Sequence, residues 1–282
     1  MNNAISKKIT IIGGNGGMGQ LFSKLWKEFD VWILDKDDWS NADLLLNNAD
    51  LVVISVPINL TEEVIQLAAK FITKKCILAD FTSIKTKPIN EMLRHHSGSV
   101  VGLHPMFGHK IDDPHNQIII NCGGRDLGNC SWIFESLQSI GFKLIAMPPA
   151  KHDQIMSFIQ GIEHFSTFAL GNFLKQHNIR PNEILEISSP IYQTKLALMG
   201  RIFDQDPKLY ADIIMSDDSR IELITQYINY LETLKNMLVN KDKESFINSF
   251  IKVSDWMGEF TSNSQESTDK LFSNLSNFVN SK

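Results

Sequence analysis

The run Lys8 to Gly19, KITIIGGNGGMG, constrains this chain more than any other stretch. Ile9, Ile11 and Ile12 form a β-branched run of the kind that packs inside a parallel sheet. Gly14, Gly16 and Gly19 fall at G-x-G-x-x-G spacing. The residues that follow, MGQLFSKLWKEF, put Leu21, Phe22, Leu25, Trp26 and Phe29 on one helical face. Strand, glycine turn and helix in that order are the parts of a dinucleotide site. The first glycine permits the tight turn, the second lets the backbone approach a pyrophosphate, and the third lets helix and strand pack closely. The helix N-terminus adds unpaired N–H groups and a positive partial charge for the phosphates. The next strand, Val31 to Leu34, ends at Asp35. A carboxylate there accepts hydrogen bonds from ribose hydroxyls and repels a 2′-phosphate, which favours NAD over NADP. Lys36 beside it softens that repulsion, and Asp35 can also simply open a polar turn, Asp35 to Asp38.

The βα alternation continues through the first half. A short helical piece spans Ala42 to Asn48, and LVVISVPI, Leu51 to Ile58, is a buried-strand run closed by Pro57. Helix Asn59 to Ile72 carries Glu62 and Glu63 in its first turn, where carboxylates suit the dipole. Cys76 to Phe81 is another strand, and Pro88 fits the first turn of a helix running to about His95. Val100 to Leu103, Gln117 to Asn121 and Lys143 to Met147 read as strands, with helix Ser131 to Ile140 before the last. This is a doubly wound, Rossmann-type α/β pattern. After Pro148-Pro149 only helical periodicity remains, over about 151–175, 182–203, 207–239, 243–260 and 265–279. The expected organisation is a dinucleotide-binding domain over 1–150 and an all-α domain over 151–282 for substrate binding and dimerisation. A ligand cleft between the two is the usual outcome. The apolar faces of the helices also suit burial against a second copy, so a homodimer is expected.

A chain of 282 residues can hold two such domains, and 43% apolar with 21% charged residues reads as soluble and globular. The net charge of −5 gives no general attraction to nucleic acid or to an anionic membrane, so an anionic ligand needs a few local cations. Cys76, Cys122 and Cys130 form no CxxC pair and cannot all be bridged. With no signal peptide at Met1 to Lys8, this points to a reducing cytoplasm. No apolar run reaches the ~18–20 residues of a membrane span.

Two loops should lie at the carboxyl edge of the sheet, where such folds bind ligands: DFTSIKTKP, Asp80 to Pro88, and GLHPMFG, Gly102 to Gly108. His104 follows a buried strand directly and is held by Pro105. An imidazole there can act as a general base near neutral pH, or cap a loop structurally. Ser83 can orient that ring by a hydrogen bond or cap a helix, and Lys85 can meet a carboxylate or be solvated. His95, His96, His109, His115 and His177 lie in polar surroundings and are expected to be exposed. No His/Cys spacing suits a metal, and none is expected. On the helix from Lys151, Asp153, Ser157, Gln160, His164 and Thr167 recur at steps of 4, 3, 4 and 3, one polar stripe on an otherwise apolar segment. Burying five such groups unpaired costs ~1–3 kcal/mol each, so the stripe faces a wet cleft, a polar ligand or solvent. Arg201, in LALMGRIF, has apolar neighbours that imply partial burial. It calls for a bidentate acceptor, either Asp204, Asp206 or Asp212 or an anionic substrate.

Taken together, GGNGGMGQLF, SVPI, DFTSIK, VVGLHPMFG, HDQIMSFIQGIEHFSTFA, SSPIY, GRIF, DPKLYADIIM and SFIKVSDWMGEF resemble the prephenate dehydrogenases. The likeness is closest to the dehydrogenase half of the bifunctional chorismate mutase–prephenate dehydrogenases of enteric bacteria, and it runs from about Ile9 to Phe260. It implies NAD-dependent oxidative decarboxylation of prephenate to 4-hydroxyphenylpyruvate, a step of tyrosine biosynthesis. The family's catalytic histidine matches His104 and its hydrogen-bonding serine Ser83. The resemblance implies Arg201, at the ring carboxylate, and His164 as substrate contacts, and Gln160 of the stripe and Lys85 of the loop are expected beside them. The implied cofactor contacts are Gly14, Gly16, Gly17, Met18, Gly19, Asp35, Val56 and Pro57. The mutase region has no counterpart before the glycine turn, so mutase activity is not expected. Gln193 stands where the enteric relatives carry arginine, and HKIDD after GLHPMFG differs from their loop. Both changes keep 4-amino-4-deoxyprephenate and arogenate open as substrates. A dinucleotide-sensing protein without catalysis would have little use for Ser83 with His104.

Overall fold

The β-branched runs pair into one seven-stranded sheet. In chain order the strands are β1 (Lys8–Ile12), β2 (Asp30–Leu34), β3 (Leu51–Ile54), β4 (Ile77–Asp80), β5 (Val100–Pro105), β6 (Ile118–Arg125) and β7 (Lys143–Ala146). The computed structural model describes residues 6–279, with side chains to 272. Residues 1–5, part of the stretch over which no signal peptide is expected, and 280–282 lie outside the described residues. The strand order is β2-β1-β3-β4-β5-β6-β7, and neighbours are parallel except β5 and β6, which pair antiparallel with His104 opposite Ile120. The order reverses between β1 and β3, so the glycine turn after β1 stands at the switch point where open α/β sheets take ligands.

The helices are α1 (Gly17–Leu25), α2 (Ala42–Leu46), α3 (Thr61–Ala68), α4 (Thr86–His95), α5 (Ser131–Ile140), α6 (Pro149–Met156), α7 (Glu163–Gln176), α8 (Pro181–Leu185), α9 (Pro190–Phe203), α10 (Pro207–Ile214), α11 (Asp218–Val239), α12 (Lys243–Met257) and α13 (Glu259–Val279). Strand alternation sends Ile9, Ile11, Leu51 and Val53 to one core with Phe22 and Trp26 of α1. Ile12, Val52, Ile54 and Leu78 join the other, with Ala42, Leu46, Ile65 and Met92. Thr10 is the polar member of β1, and its hydroxyl donates to the Leu45 carbonyl at 2.5 Å, so its burial leaves nothing unsatisfied.

Contacts divide the chain into two units. One runs to Gly161 and takes in Lys208–Asp217; the other comprises Ile162–Pro207 and resumes at Asp218. The division thus falls later than the expected position near 150. His152 and Met156 of α6 are buried in the first unit, which draws that helix to the sheet. Three expected helices are interrupted. The first carries a π-helical turn, Ser157–Ile162, between α6 and α7. The second breaks before α9, where Pro190 has no N–H to continue a helix. The third breaks after Ile214 and resumes at Asp218.

Candidate active site

The glycine turn is shaped by two glycines. Gly13 has φ +81°, and a Cβ there would lie 2.5 Å from the Ser55 carbonyl oxygen. The left-handed turn therefore depends on Gly13, one residue before the glycine expected to permit it. Gly19 meets its expectation: a Cβ there would come within 2.6 Å of the Gly14 Cα, so only glycine lets α1 close on the loop. Gly16 caps α1 without a side-chain cap bond, and Gly16 and Gly17 are exposed while Met18 is half-buried. Asp35 lies against the same loop; its Oδ2 accepts from the Asn15 N–H at 3.2 Å and its Oδ1 from the Lys36 N–H at 2.9 Å. It also opens the polar turn, since the Asp38 N–H donates to its carbonyl at 2.9 Å. Val56 packs beside Gly13, with exposed Pro57 next to it. Exposed amides at a helix start, a loop that admits no added side chain, and a carboxylate at the end of β2 are what a dinucleotide needs.

The carboxyl ends of β1, β3, β4 and β5 share one edge of the sheet. His104, near the end of β5, is three strand spacings from β1, roughly 14 Å along that edge. Its ring is buried, only 2% exposed. Nδ1 stands 2.7 Å from Nε2 of His152, which is fully buried, and His152 Nδ1 stands 2.8 Å from Oδ1 of Asp153. The Asp153 carboxylate in turn accepts the N–H of Lys85 on Oδ1 and that of Thr86 on Oδ2, each at 2.8 Å. Burial alone would raise the Asp153 carboxyl. The hydrogen bonds from His152, Thr86 and Lys85 outweigh it and hold the group down to about 2. On the other side of His104, Gln160 sets its amide nitrogen 3.3 Å from Nε2, while its own Oε1 is buried with no hydrogen-bond partner among the described residues.

Two expectations for the neighbouring loop change. Ser83 is half-buried and makes no hydrogen bond among the described residues; His152 holds the ring atom that Ser83 was expected to orient. Lys85 is neither solvated nor turned to a ligand. It is fully buried, its ammonium paired with Asp80 and donating to the Leu103 carbonyl at 3.0 Å. Burial lowers its pKa, against the pull of the Asp80 carboxylate. The Asp80 oxygen that meets Lys85 also accepts from the Thr82 backbone N–H at 3.0 Å and from the Thr82 hydroxyl. His96, expected exposed, is buried with Nε2 2.8 Å from the Cys76 carbonyl. Burial pushes the Cys76 and Cys122 thiols up to about 12, so neither is a ready nucleophile.

In the second unit, His164 of α7 is half-buried; burial, with the Arg220 charge adding and Glu163 opposing, lowers its pKa. Arg201 of α9 is exposed rather than partly buried, and no ion pair of its guanidinium is found among the described residues. The apolar neighbours Leu196 and Met199 take the buried face instead. Gln193 turns its amide onto the Leu185 and Ser188 carbonyls, both at 3.2 Å, and so fastens the α8–α9 corner. Of the polar stripe, Asp153 and Gln160 point into the first unit, and the π-helical turn that holds Gln160 alters the helical spacing. His152 was absent from every sequence expectation. Its signal was there: a histidine directly before the stripe's first carboxylate, in a helix that had to cover a sheet. Among the described residues no group of three or more His, Cys, Asp or Glu side chains could hold a metal ion, and no helix is long and apolar enough to cross a membrane.

Two family models match the chain: the nucleotide-binding domain of prephenate dehydrogenase over residues 33–117 and the prephenate dehydrogenase dimerization domain over 148–252. The T-protein of Enterobacter agglomerans is 43% identical over 255 residues, covering 90% of this chain and 68% of that protein. The T-protein of Haemophilus influenzae is 40% identical over 261 residues, covering 92% and 69%. In fold, the chain is similar to the crystal structure of prephenate dehydrogenase from A. aeolicus in complex with hydroxyphenyl propionate and NAD+. The TM-score is 0.69 at 16% identity, over 89% of this chain and 97% of that one.

Proposed function

The chain belongs to the prephenate dehydrogenase family of oxidoreductases, and on that premise we propose that it oxidatively decarboxylates prephenate to 4-hydroxyphenylpyruvate with NAD. The observation that carries the reading is the buried His104 on the sheet edge that also bears the glycine turn, with an orphaned acceptor, Gln160 Oε1, beside its ring. NAD, when bound, takes up the hydride that leaves ring C4. Gly14, Gly16, Gly17, Met18 and Gly19 would hold its pyrophosphate and Asp35 its ribose, with Val56 and Pro57 as further contacts. His104 Nε2 takes the proton of the ring hydroxyl as the C4–H bond breaks. The bond from the opposite ring carbon to its carboxylate then breaks, carbon dioxide leaves, and the electron pair passes through the ring to the oxygen, which takes the proton back from the His104 imidazolium. The gain of aromaticity makes the step effectively irreversible.

Prephenate carries two carboxylates, so cations must meet them in a chain of net charge −5. Lys85 is occupied by Asp80, and its part is to hold the loop after β4 rather than to touch substrate. Arg201 is exposed with no ion pair among the described residues; it binds the ring carboxylate, and His164 assists. A dimer and a cytoplasmic setting belong to the same reading. One observation favours a second substrate: Gln193 is engaged in a helix corner and supplies no charge where the enteric relatives carry arginine. Purified protein assayed with NAD against prephenate, 4-amino-4-deoxyprephenate and arogenate decides between them. Oxidation of prephenate with the highest kcat/KM is expected. Turnover of the amino compound alone would overturn the reading.

A further inference from the structure

We propose that His152 and Asp153 are positioning residues that lock His104 into one tautomer, with its proton on Nδ1 and its lone pair on Nε2. The inference deepens the proposed function and rests on its assignment of His104 as the base. An ionised carboxylate only accepts hydrogen bonds, so the 2.8 Å contact requires His152 Nδ1 to donate. In its neutral form His152 then has only a lone pair left at Nε2, so the 2.7 Å contact requires His104 Nδ1 to donate. That leaves the His104 lone pair on Nε2, and the neighbour placed there, the Gln160 amide nitrogen at 3.3 Å, is a donor, as a lone pair requires.

The order of the chain is fixed from its far end. The Lys85 and Thr86 N–H groups hold the two oxygens of Asp153, so the carboxylate cannot rotate away from His152. His152 is fully buried and His104 is 2% exposed, which leaves little room for water to offer either ring another partner. When Nε2 takes a proton, the Nδ1–H of the imidazolium already points along a path that ends on a fixed negative charge. No proton leaves the chain of groups; the carboxylate orients the rings and steadies the charge that develops.

Asp153→Asn tests this directly. The Asp153 oxygen that faces His152 Nδ1 also accepts the Lys85 N–H, so an Asn that presents its NH2 to His152 keeps its carbonyl oxygen on the Thr86 N–H and gives up the Lys85 bond. Both tautomers then reverse, and His104 carries its proton on Nε2, where the lone pair is needed. With prephenate and NAD, kcat should fall ~10²–10⁴-fold while the KM for NAD stays within about threefold. His152→Gln, whose carbonyl can still accept from His104 Nδ1, should retain roughly tenfold more activity than His152→Leu. The wild-type protein gives a readout independent of how the Asp153 and His152 variants fold and of the substrate's identity. In ¹⁵N-histidine NMR, the ring signals lost in His104→Asn should show a protonated Nδ1 and a bare Nε2. A wild-type His104 protonated on Nε2, or a folded Asp153→Asn with unchanged kcat, would overturn the proposal. Failure to oxidise prephenate at all, with the Nδ1–H tautomer present, would instead count against the substrate reading.

Discussion

At the scale of single residues, the base and the cation separate cleanly in their expected effects. His104→Asn removes the atom that takes the hydroxyl proton but leaves the glycine turn untouched. Turnover should fall by at least ~10²-fold, while NAD still binds with unchanged affinity by calorimetry. Arg201→Gln should leave kcat within a fewfold and raise the KM for prephenate roughly 10–100-fold, the loss of one charge-assisted contact of ~1.5–3 kcal/mol. An unchanged KM would remove Arg201 from the substrate site. His104 was legible because a histidine directly after a buried strand, followed by proline, has few places to go. Its partner was not. His152 lies 48 residues further on, and only the packing of α6 against the sheet brings the two rings together. Sequence reasoning instead offered Ser83, the nearest hydroxyl on the adjoining loop. For Lys85 the carboxylate alternative holds, but the carboxylate is Asp80 rather than a substrate's, and Asp80 reads in the sequence as the mere end of a strand.

At the scale of elements, the same few side chains join β4, α4 and α6. Asp153 of α6 supplies the cap that α4 lacks from its own sequence, since Lys85 at the N-cap position offers no acceptor. The Asp153 pKa of about 2 lies below the ordinary 3.8. Its stabilising contribution is therefore complete above about pH 4 and disappears as pH falls through 2. After discounting for its partial exposure it is on the order of 1–2 kcal/mol. Urea unfolding of wild type and Asp153→Asn should show a stability gap at pH 6 that narrows between pH 4 and pH 2. The buried Lys85–Asp80 pair behaves differently. Lys85→Met strands a carboxylate that already has one unpartnered oxygen, and should cost about 3–5 kcal/mol, a Tm lower by roughly 10 °C. The double variant Asp80→Ala with Lys85→Met should recover part of that loss, because no lone charge is left inside. The positions of the strands were readable from periodicity, and α5 matches its expected span, Ser131–Ile140. The π-helical turn was not. An extra residue in one turn leaves composition unchanged, and it becomes visible only when Gln160 is found at His104 rather than in solvent.

At the scale of the whole molecule, the second unit has more apolar surface than one chain covers. α12 buries none of its residues, yet it carries Phe246, Ile247, Phe250, Ile251 and Trp256, the last 82% exposed. Leu238 and Val239, at the end of α11, and Phe260, at the start of α13, extend the exposed apolar surface. A monomer in water seldom leaves so many large apolar side chains of one helix exposed. Burying Phe250 and Trp256 against a second copy would contribute about 1.5–3 kcal/mol for each side chain, the scale on which a few central aromatics decide an interface. The match of residues 148–252 to a dimerization domain points the same way. Light scattering of the wild-type chain should therefore give twice the mass of one chain at micromolar concentration. Phe250→Glu with Trp256→Glu places unpaired charges where that contact needs apolar rings, and should yield monomers whose His104–His152–Asp153 arrangement, lying in the first unit, is preserved. A wild-type chain that stays monomeric across the accessible concentrations would show that these faces serve another end.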